Sequence, residues 1–470
     1  MNPDRDGRIL LALAIALHLV TAWCSSGYYA ADEHYQLITF AEVKAGHEPE
    51  AHLPWEHAHR IRCTLLPAVV LAVFRAADLL GLHDPFLKAL LLRLLTALAA
   101  LLIVRRWAQA ARTLLPDQLQ RPFLWLTWCL WFLPYQHVRF TGETWSGLLV
   151  LAAATELLTN APGRKEAVRA GLWLGLAAMV RPTTVLLGAG LLAWAWHSGR
   201  LRRNTGLTLV LCVLGAMGVV AVLDSWWYGS PVLTLWNYAM MGFGGRPGGG
   251  FEAMPWWAYG AYIVKDMLVP IGLLTLGAFV VLWVKRPAGP LLWMITPFLV
   301  FHTLVPHKEM RFLFPLADLV PLLLVQAYGA LCLHLEAPPR VRQWVVLGLA
   351  AAFNLAGLAV ASFTPAGSGR TRLAAQLGPE AGNVVYDADK VTVWKIAIPP
   401  FYGGHSFPQE HLGRPCTGGT EVVVTQGSTP CGQVQVERIA TAEPDWACAL
   451  LTAYRWRPQE RGWAAYRTIR

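Results

Sequence analysis

An all-α polytopic membrane protein with a small α/β domain at its C-terminal end is the fold class the sequence predicts, and three observations predict it. The 470 residues are 55% hydrophobic and only 14% charged, with a mean hydropathy of +0.41, whereas soluble globular chains are about a quarter charged. Windows long enough to cross a bilayer recur at residues 9–25, 86–104, 207–226, 267–284 and 341–362. From residue 364 onward that pattern stops. The expected organisation is a transmembrane bundle over 1–363, with a first external loop at 28–85, followed by a soluble extracytoplasmic domain over 364–470.

The formal net charge of +10 does not describe a nucleic-acid surface, because the basic residues sit in short connections between apolar runs rather than in one patch. Connections at 105–121, 164–169, 200–203, 285–286 and 340–342 can all be assigned to the cytoplasm by the positive-inside rule. Starting inside with Arg5 and Arg8, the first span leaves residues 28–60 outside, and 86–104 returns the chain to Arg105. Residues 64–80 are apolar but carry Arg75 and Asp78. Counting them as a span inverts every later basic loop, so they read as a helix along the outer surface. About eleven spans follow from that choice. Segments 123–134, 170–179 and 183–196 are shorter than a crossing helix normally needs.

In the tail, 383–386 and 421–425 read as strands and 442–454 as a helix, which makes a small mixed α/β domain. Cys416, Cys431 and Cys448 lie in this external region, where one disulfide is plausible. Pairing Cys416 with Cys431 would close a hairpin-like loop and leave Cys63 or Cys448 as the odd thiol. Cys24, Cys129, Cys212 and Cys332 read as small buried hydrophobes. The sequence has no Asn-x-Ser/Thr acceptor, which favours a prokaryotic envelope. It shows no internal repeat, which counts against inverted-repeat transporters. The 22 tryptophans gather near span ends as an interfacial belt.

Charges near a bilayer are costly, so their positions point to function. The unusual ones gather on the outer side: Asp32, Glu33 and His34, then Glu42, Glu56, His57, His59, Arg60, Arg139, Glu143, Arg181 and Arg246. The stretch PHKEMRFLFP, residues 306–315, adds His307, Lys308, Glu309 and Arg311 directly before an apolar run. If helical, His307 and Arg311 share a face four residues apart, at a span's N-terminal turn. There, unpaired N–H groups and the helix dipole add positive potential. That is an anion site suited to a phosphate at headgroup depth, with Glu309 orienting the cations. The alternative is a snorkelling Lys and Arg that anchor a helix end. Asp318, seven residues after Arg311, falls on roughly the same helical face but reads as a structural pair. Asp32 or Glu33 could serve as general base on a hydroxyl, and Asp32 also suits a helix N-cap. The Gly-rich run 244–250 lacks the Lys-Ser/Thr of a P-loop and reads as an external loop able to cover a site.

Taken together these residues resemble the polytopic mannosyltransferases of N-glycan and GPI-anchor assembly, within the GT-C superfamily. HKEMRFLFP resembles that family's His-Lys-Glu-x-Arg-Phe signature, and ADEHYQ resembles the His-Pro-Asp-Glu motif after the first span. LPWEHAHRIR resembles the Thr-Trp-Glu segment followed by Arg, and WWYGSPVLTLWNY resembles the Tyr-Gly to Trp-Asn stretch. The chain departs at Ala30 and Ala31, which replace His-Pro, at Leu53 and Pro54 before Trp55, and at Met310, where a second acid is common. These departures bear on acceptor identity.

The resemblance implies a GT-C fold and transfer of mannose, or a similar hexose, from a polyprenyl- or dolichyl-phosphate donor to a glycan or glycolipid hydroxyl. It implies inversion at the outer face, with no nucleotide-binding domain; no cofactor is expected, and no metal either, because Asp32, Glu33, Glu42 and Glu56 have no spacing diagnostic of a divalent ion. By analogy Asp32, with Glu33 beside it, is catalytic, while His307, Lys308, Arg311, Arg139 and Arg181 bind the donor phosphate. Trp55, Glu56, Arg60, Glu309 and Arg246 support the acceptor or its loop. The expected partners are the lipid-linked donor, the acceptor and membrane lipids, with no nucleic acid. A prokaryotic member is expected, located in a bacterial inner membrane with the site facing the periplasm; in a eukaryotic source the location would be the ER membrane, with a lumenal site. The competing class is a transporter or flippase of a lipid-linked or anionic saccharide, and a second enzyme class is an acyl- or phosphotransferase using His34, His57 or His307 as base.

Overall fold

The computed structural model describes residues 3–158, 162–244, 253–332, 341–366, 369–387, 398–403, 412–413, 422–426, 435–454 and 462–469. Helices run in the order α1 (Pro3–Cys24), α2 (Thr39–Ala45), α3 (Trp55–Ala58), α4 (Leu65–Leu79), α5 (Pro85–Ala111), α6 (Asp117–Cys129), α7 (Phe132–Gln136), α8 (Gly142–Leu158) and α9 (Arg164–Val180). They continue with α10 (Val185–His197), α11 (Arg203–Tyr228), α12 (Thr234–Gly244), α13 (Ala258–Asp266), α14 (Val269–Lys285), α15 (Pro290–Leu304), α16 (Val320–Cys332) and α17 (Val341–Phe363). The chain divides into two compact units. One comprises Met1–His18, Pro54–Val69 and Leu95–Ala359, and the second comprises Leu19–Leu53, Val70–Leu94 and Val360–Arg470.

Among the described residues, five helices are long and apolar enough to cross a membrane: Gly7–Cys24, Pro85–Leu114, Arg203–Tyr228, Met310–Leu331 and Trp344–Phe363. A sixth span results if α14 and α15, bent by 119° at their junction, count as one. The sequence led to an expectation of about eleven. The difference is one of length. Helices α6, α8, α9, α10, α14 and α15 have between 13 and 17 residues. At about 1.5 Å per residue their regular turns alone extend about 20–26 Å, less than a hydrocarbon core of about 30 Å, so length by itself does not count them as spans. Helix α4, with 15 residues, also falls short, and its Asp78 closes the turn into α5 by meeting Lys88 Nζ at 2.7 Å and His83 Nδ1 at 2.9 Å.

In the first unit, α8 is buried along nearly its whole length and packs against α9 and against the 3₁₀ stretch Met310–Leu319. Helix α9 in turn lies along α11. The run Gly171-Leu-Trp-Leu-Gly175 makes that approach possible: a Cβ on Gly171 would stand 2.4 Å from the Leu209 carbonyl oxygen, and one on Gly175 2.6 Å from that of Val213. Small residues four apart let two backbones touch where lipid supplies no hydrophobic force between helices.

In the second unit, five strands form one sheet in the order β2-β1-β3-β5-β4, with β1 Val384–Asp387, β2 Leu412–Gly413, β3 Val422–Gln426, β4 Val436–Thr441 and β5 Trp463–Thr468. Strand β1 pairs in parallel with β2 and β3, while β5 runs antiparallel to β3 and β4. The two strands and the helix read from the sequence fall on β1, β3 and Asp445–Ala453, and the tail has the mixed α/β character expected of it. Strands β4 and β5 lack a clean alternation of apolar and polar residues and escaped notice. Cys416, Cys431 and Arg246 lie outside the described residues, whereas Cys63 and Cys448 are free thiols.

The contact between α9 and α11 makes a direct prediction. Gly175→Leu should lower stability by about 1–3 kcal/mol, the usual cost of overpacking, read as a fall in the detergent-solubilised thermal midpoint, while Gly215→Leu on a face with no neighbour within 4 Å should leave the midpoint within error.

Candidate active site

The signature stretch does not begin a regular α-helix. Residues 308–309 have no regular secondary structure, Glu309 is extended (φ −134°, ψ 142°), and a 3₁₀ helix starts only at Met310. Pro315 explains part of this, because it has no N–H to return to the fourth residue before it. The expected shared face of His307 and Arg311 is therefore absent, and at about three residues per 3₁₀ turn Asp318 falls away from the face of Arg311. Asp318 instead meets His137, with Oδ1 2.9 Å from Nε2. His137 Nδ1 lies 2.9 Å from His18 Nε2, and His18 Nδ1 lies 2.7 Å from the Ala14 carbonyl. This buried chain ties the 3₁₀ stretch to α1.

What joins His307 to Arg311 is Glu309. Its carboxylate takes Arg311 Nε at 2.6 Å and Nη2 at 3.1 Å, and His307 Nε2 at 2.8 Å. The outer edge of Arg311 faces Glu143, in the first turn of α8, with Nη1 3.8 Å from Oε1. Arg181 reaches the same oxygen at 3.2 Å. Arg181 precedes Pro182, which forces it out of the helical region (φ −143°, ψ 101°) and ends α9 there. Both guanidinium groups also lie over the Phe312 ring, at 5.0 Å for Arg181 and 5.2 Å for Arg311. Stacking on an aromatic face while a carboxylate holds the edge is a geometry that Arg alone supports.

Lys308 is buried and its ammonium is turned toward main-chain carbonyls, to Val305 and, at 3.4 Å, to Met254. It lies 5.9 Å from the centre of the Tyr259 ring, whose phenol burial holds above its ordinary value. Lys308 thus braces the chain at Met254 against the signature loop while adding its charge there. Arg139 is 1% exposed, with its guanidinium 5.3 Å from the Tyr135 ring. Among the described residues of the signature stretch and the facing ends of α8 and α9, three permanent cations (Arg181, Lys308 and Arg311) accompany two carboxylates (Glu143 and Glu309). The surplus is positive, and buried charge of one sign is tolerated best where an anion binds.

The segments around LPWEHAHRIR and WWYGSPVLTLWNY clasp each other in the same unit. Asp224, fully buried in α11, accepts from the Thr64 N–H and hydroxyl, both at 2.7 Å, and from the Thr234 hydroxyl at 2.6 Å. Tyr228 donates its hydroxyl to the Arg62 carbonyl at 2.9 Å, and Asn237 donates its amide to the Arg60 carbonyl at 3.2 Å. Arg60 itself donates to Ser230 Oγ at 2.6 Å and takes a left-handed backbone, φ 50°. That conformation costs a non-glycine residue about 1–3 kcal/mol, and it is held by these contacts. Glu56 is buried and pairs with Arg62 at 3.3 Å, whereas Trp55 is 40% exposed. Burial, and then the Asp224 carboxylate, pushes the Cys63 thiol up.

Asp32 and Glu33 belong to the second unit. Both are half-buried at the start of a helix, and it is Glu33 that fastens that start, accepting from the Tyr29 N–H at 3.0 Å. A π-helix, His34–Ile38, follows before α2; such wide turns gather at functional sites. Among the described residues no group of three or more His, Cys, Asp or Glu side chains is arranged to hold a metal ion. Sequence reasoning assigned no task to Glu143, Phe312 or His137, whereas the structural pairing expected of Asp224 is what it shows. The available signal was the acids lodged in apolar runs, since an acid there needs a partner.

The whole-chain fold is similar to that of ArnT from Cupriavidus metallidurans bound to undecaprenyl phosphate, with a TM-score of 0.59 at 14% identity over 100% of this chain and 99% of that one. In sequence, the chain is 27% identical to GPI mannosyltransferase 3 of Trypanosoma brucei brucei over 59% of its length, and 26% identical to GPI mannosyltransferase 3 of Yarrowia lipolytica over 73%. It spans 57% of the trypanosome protein and 65% of the Yarrowia protein. A family model for Alg9-like mannosyltransferases matches residues 9–364, the part that holds the cation cluster, the clasp and the acid-bearing helix. The chain belongs to the Alg9-like mannosyltransferase family.

Proposed function

We propose that the protein transfers mannose from a polyprenyl- or dolichyl-phosphate donor to a hydroxyl of a glycan or glycolipid acceptor, with inversion. The observation that carries this reading is the pair of guanidinium groups, Arg181 and Arg311, set over one ring and around one carboxylate. Family membership supplies the reaction class. ArnT, which shares the fold, binds undecaprenyl phosphate, and a lipid phosphate is the anion that best suits this surplus of positive charge.

In the proposed step, Asp32 takes the proton of the acceptor hydroxyl and the freed oxygen attacks the anomeric carbon from the face opposite the phosphate. The bond from that carbon to the phosphate oxygen breaks, and its electron pair leaves with the lipid phosphate. The charge gained by the leaving group is met by Arg181, Arg311, Lys308 and His307, with Arg139 adding to the field. Glu309 and Glu143 hold the guanidinium planes ready, so little reorganisation is needed as charge develops. The clasp of Arg60 on Ser230 and Asn237, of Arg62 on Tyr228 and of Thr64 on Asp224 supports the loop carrying Trp55 and Glu56 against the acceptor. Arg246 is proposed for the same support.

The remaining proposals concern architecture and place. A bundle over 1–363, a soluble domain over 364–470 and about eleven crossings rest on the charge pattern. The site is proposed to face the extracytoplasmic side. A prokaryotic source rests on the missing Asn-x-Ser/Thr acceptor alone, and the relatives described above are eukaryotic; in such a cell the site would face the ER lumen.

Incubating purified protein with synthetic polyprenyl-phosphate mannose and a panel of mannose acceptors tests the reading. Arg311→Gln should reduce kcat by about 10²–10³, as loss of one preorganised donor does, and Arg311→Lys should restore only part of it, because the paired edge and the stacking plane are lost. Full turnover in Arg311→Gln would remove the cluster from the reaction.

The acid has its own signature. Asp32→Asn should lower kcat by about 10²–10⁴ while donor binding, measured by equilibrium dialysis of labelled lipid, stays at the level of the unmodified protein. If both fall together, Asp32 contributes binding rather than proton transfer.

A further inference from the structure

Residues 398–403 of the C-terminal tail lie beyond the family match, which ends at 364, yet they form one wall of the acid-bearing segment within the second unit. His34, two residues after Asp32, is 1% exposed. Its ring is enclosed by Tyr28 at 5.7 Å, Tyr35 at 5.1 Å, Tyr402 at 5.7 Å and Phe401 at 6.0 Å. The tail rings are themselves seated. Phe401 stacks on Phe74 at 5.4 Å with the planes 8° apart, and Tyr402 packs on Phe86 at 5.1 Å. A one-turn helix, Pro400–Gly403, presents both rings, with the Pro399 carbonyl accepting from the Tyr402 N–H at 2.9 Å and the Gly403 N–H at 3.1 Å. A second tie comes from the Ala366 N–H to the Ser26 carbonyl, at 2.8 Å.

We infer that Phe401 and Tyr402 are positioning residues for the reaction: through His34 they set the direction in which Asp32 points. Residues two apart on a helix are about 200° apart in projection. Seating His34 in the aromatic box therefore turns Asp32 to the opposite side, where it is half-buried and reachable. The π-turn His34–Ile38 begins at the seated residue, and a wide turn keeps its register only where its surroundings determine it. Aromatic pairs at 4.5–7 Å each contribute about 0.5–1.5 kcal/mol beyond their buried area, so several acting on one ring suffice to favour one orientation. The tail is in this way part of the transfer machinery.

This inference rests on the reading of Asp32 as base, and its test separates the two. The full-length protein is compared as unmodified, Phe401→Ala/Tyr402→Ala and Tyr402→Phe forms, by hydrogen exchange and by transfer from polyprenyl-phosphate mannose. In the double variant, amide exchange over residues 31–45 should accelerate at least tenfold while that over 310–319 is unchanged. Its kcat should fall about 10–100-fold with the donor KM unaltered, and Tyr402→Phe, which keeps the ring, should lie closer to the unmodified protein than to the double variant in both measurements. Unchanged exchange over 31–45 in the double variant, or unchanged kcat, overturns the inference, as does faster exchange spread through 310–319, which would mean general unfolding. Localised acceleration over 31–45 in a protein whose unmodified form transfers no mannose would sink the glycosyl-transfer reading while upholding the seat on His34.

Discussion

A charge lodged in an apolar helical bundle must find its countercharge inside the protein, and that constraint organises the first unit. Glu143 sits in the first turn of α8, ahead of the run of Leu, Val and Ala at 148–154. The residues that answer it, Arg181 and Arg311, come from different parts of the chain. Breaking one side of such an arrangement leaves an uncompensated buried ion, which costs several kcal/mol. The three segments are therefore held in register by electrostatics, and the ring of Phe312 fixes the guanidinium planes at the same time. In the proposed reaction function would use what stability requires, the same rigid cations meeting the phosphate that leaves.

The clasp follows the same logic with a single carboxylate. Asp224 satisfies three donors from two segments, so α11 carries the loop before α4 as a fixed attachment. Arg60 is bent into the left-handed region within that loop. Strain of this kind persists only when neighbouring contacts outweigh it, and Asn237 and Ser230 supply them. Two motifs separated by more than 150 residues are thus one physical object.

Much of this was legible in the chain. The helical class, four of the spans, the mixed character of the tail and the cation-rich stretch 306–315 all follow from local composition and periodicity, which the bilayer constrains strongly. The span count was less legible, since helices such as α8 and α10 are as apolar as a crossing helix yet shorter than one. The geometry of the signature was misread in one respect. A spacing of four between His307 and Arg311 promises a shared face only if the helix begins early, and Pro315 together with the extended Glu309 delays it.

By itself the sequence determined which side chains could afford to be charged in so apolar a chain, because each such residue carries a solvation cost that must be repaid. It also determined the family, through motifs whose order is read without coordinates. Only the tertiary structure decided who pairs with whom: that Glu309 rather than a helix turn joins His307 to Arg311, that Lys308 faces carbonyls, and that His34 is boxed by rings from the tail. Pairing depends on distances between segments remote in the chain, and no local pattern encodes those distances.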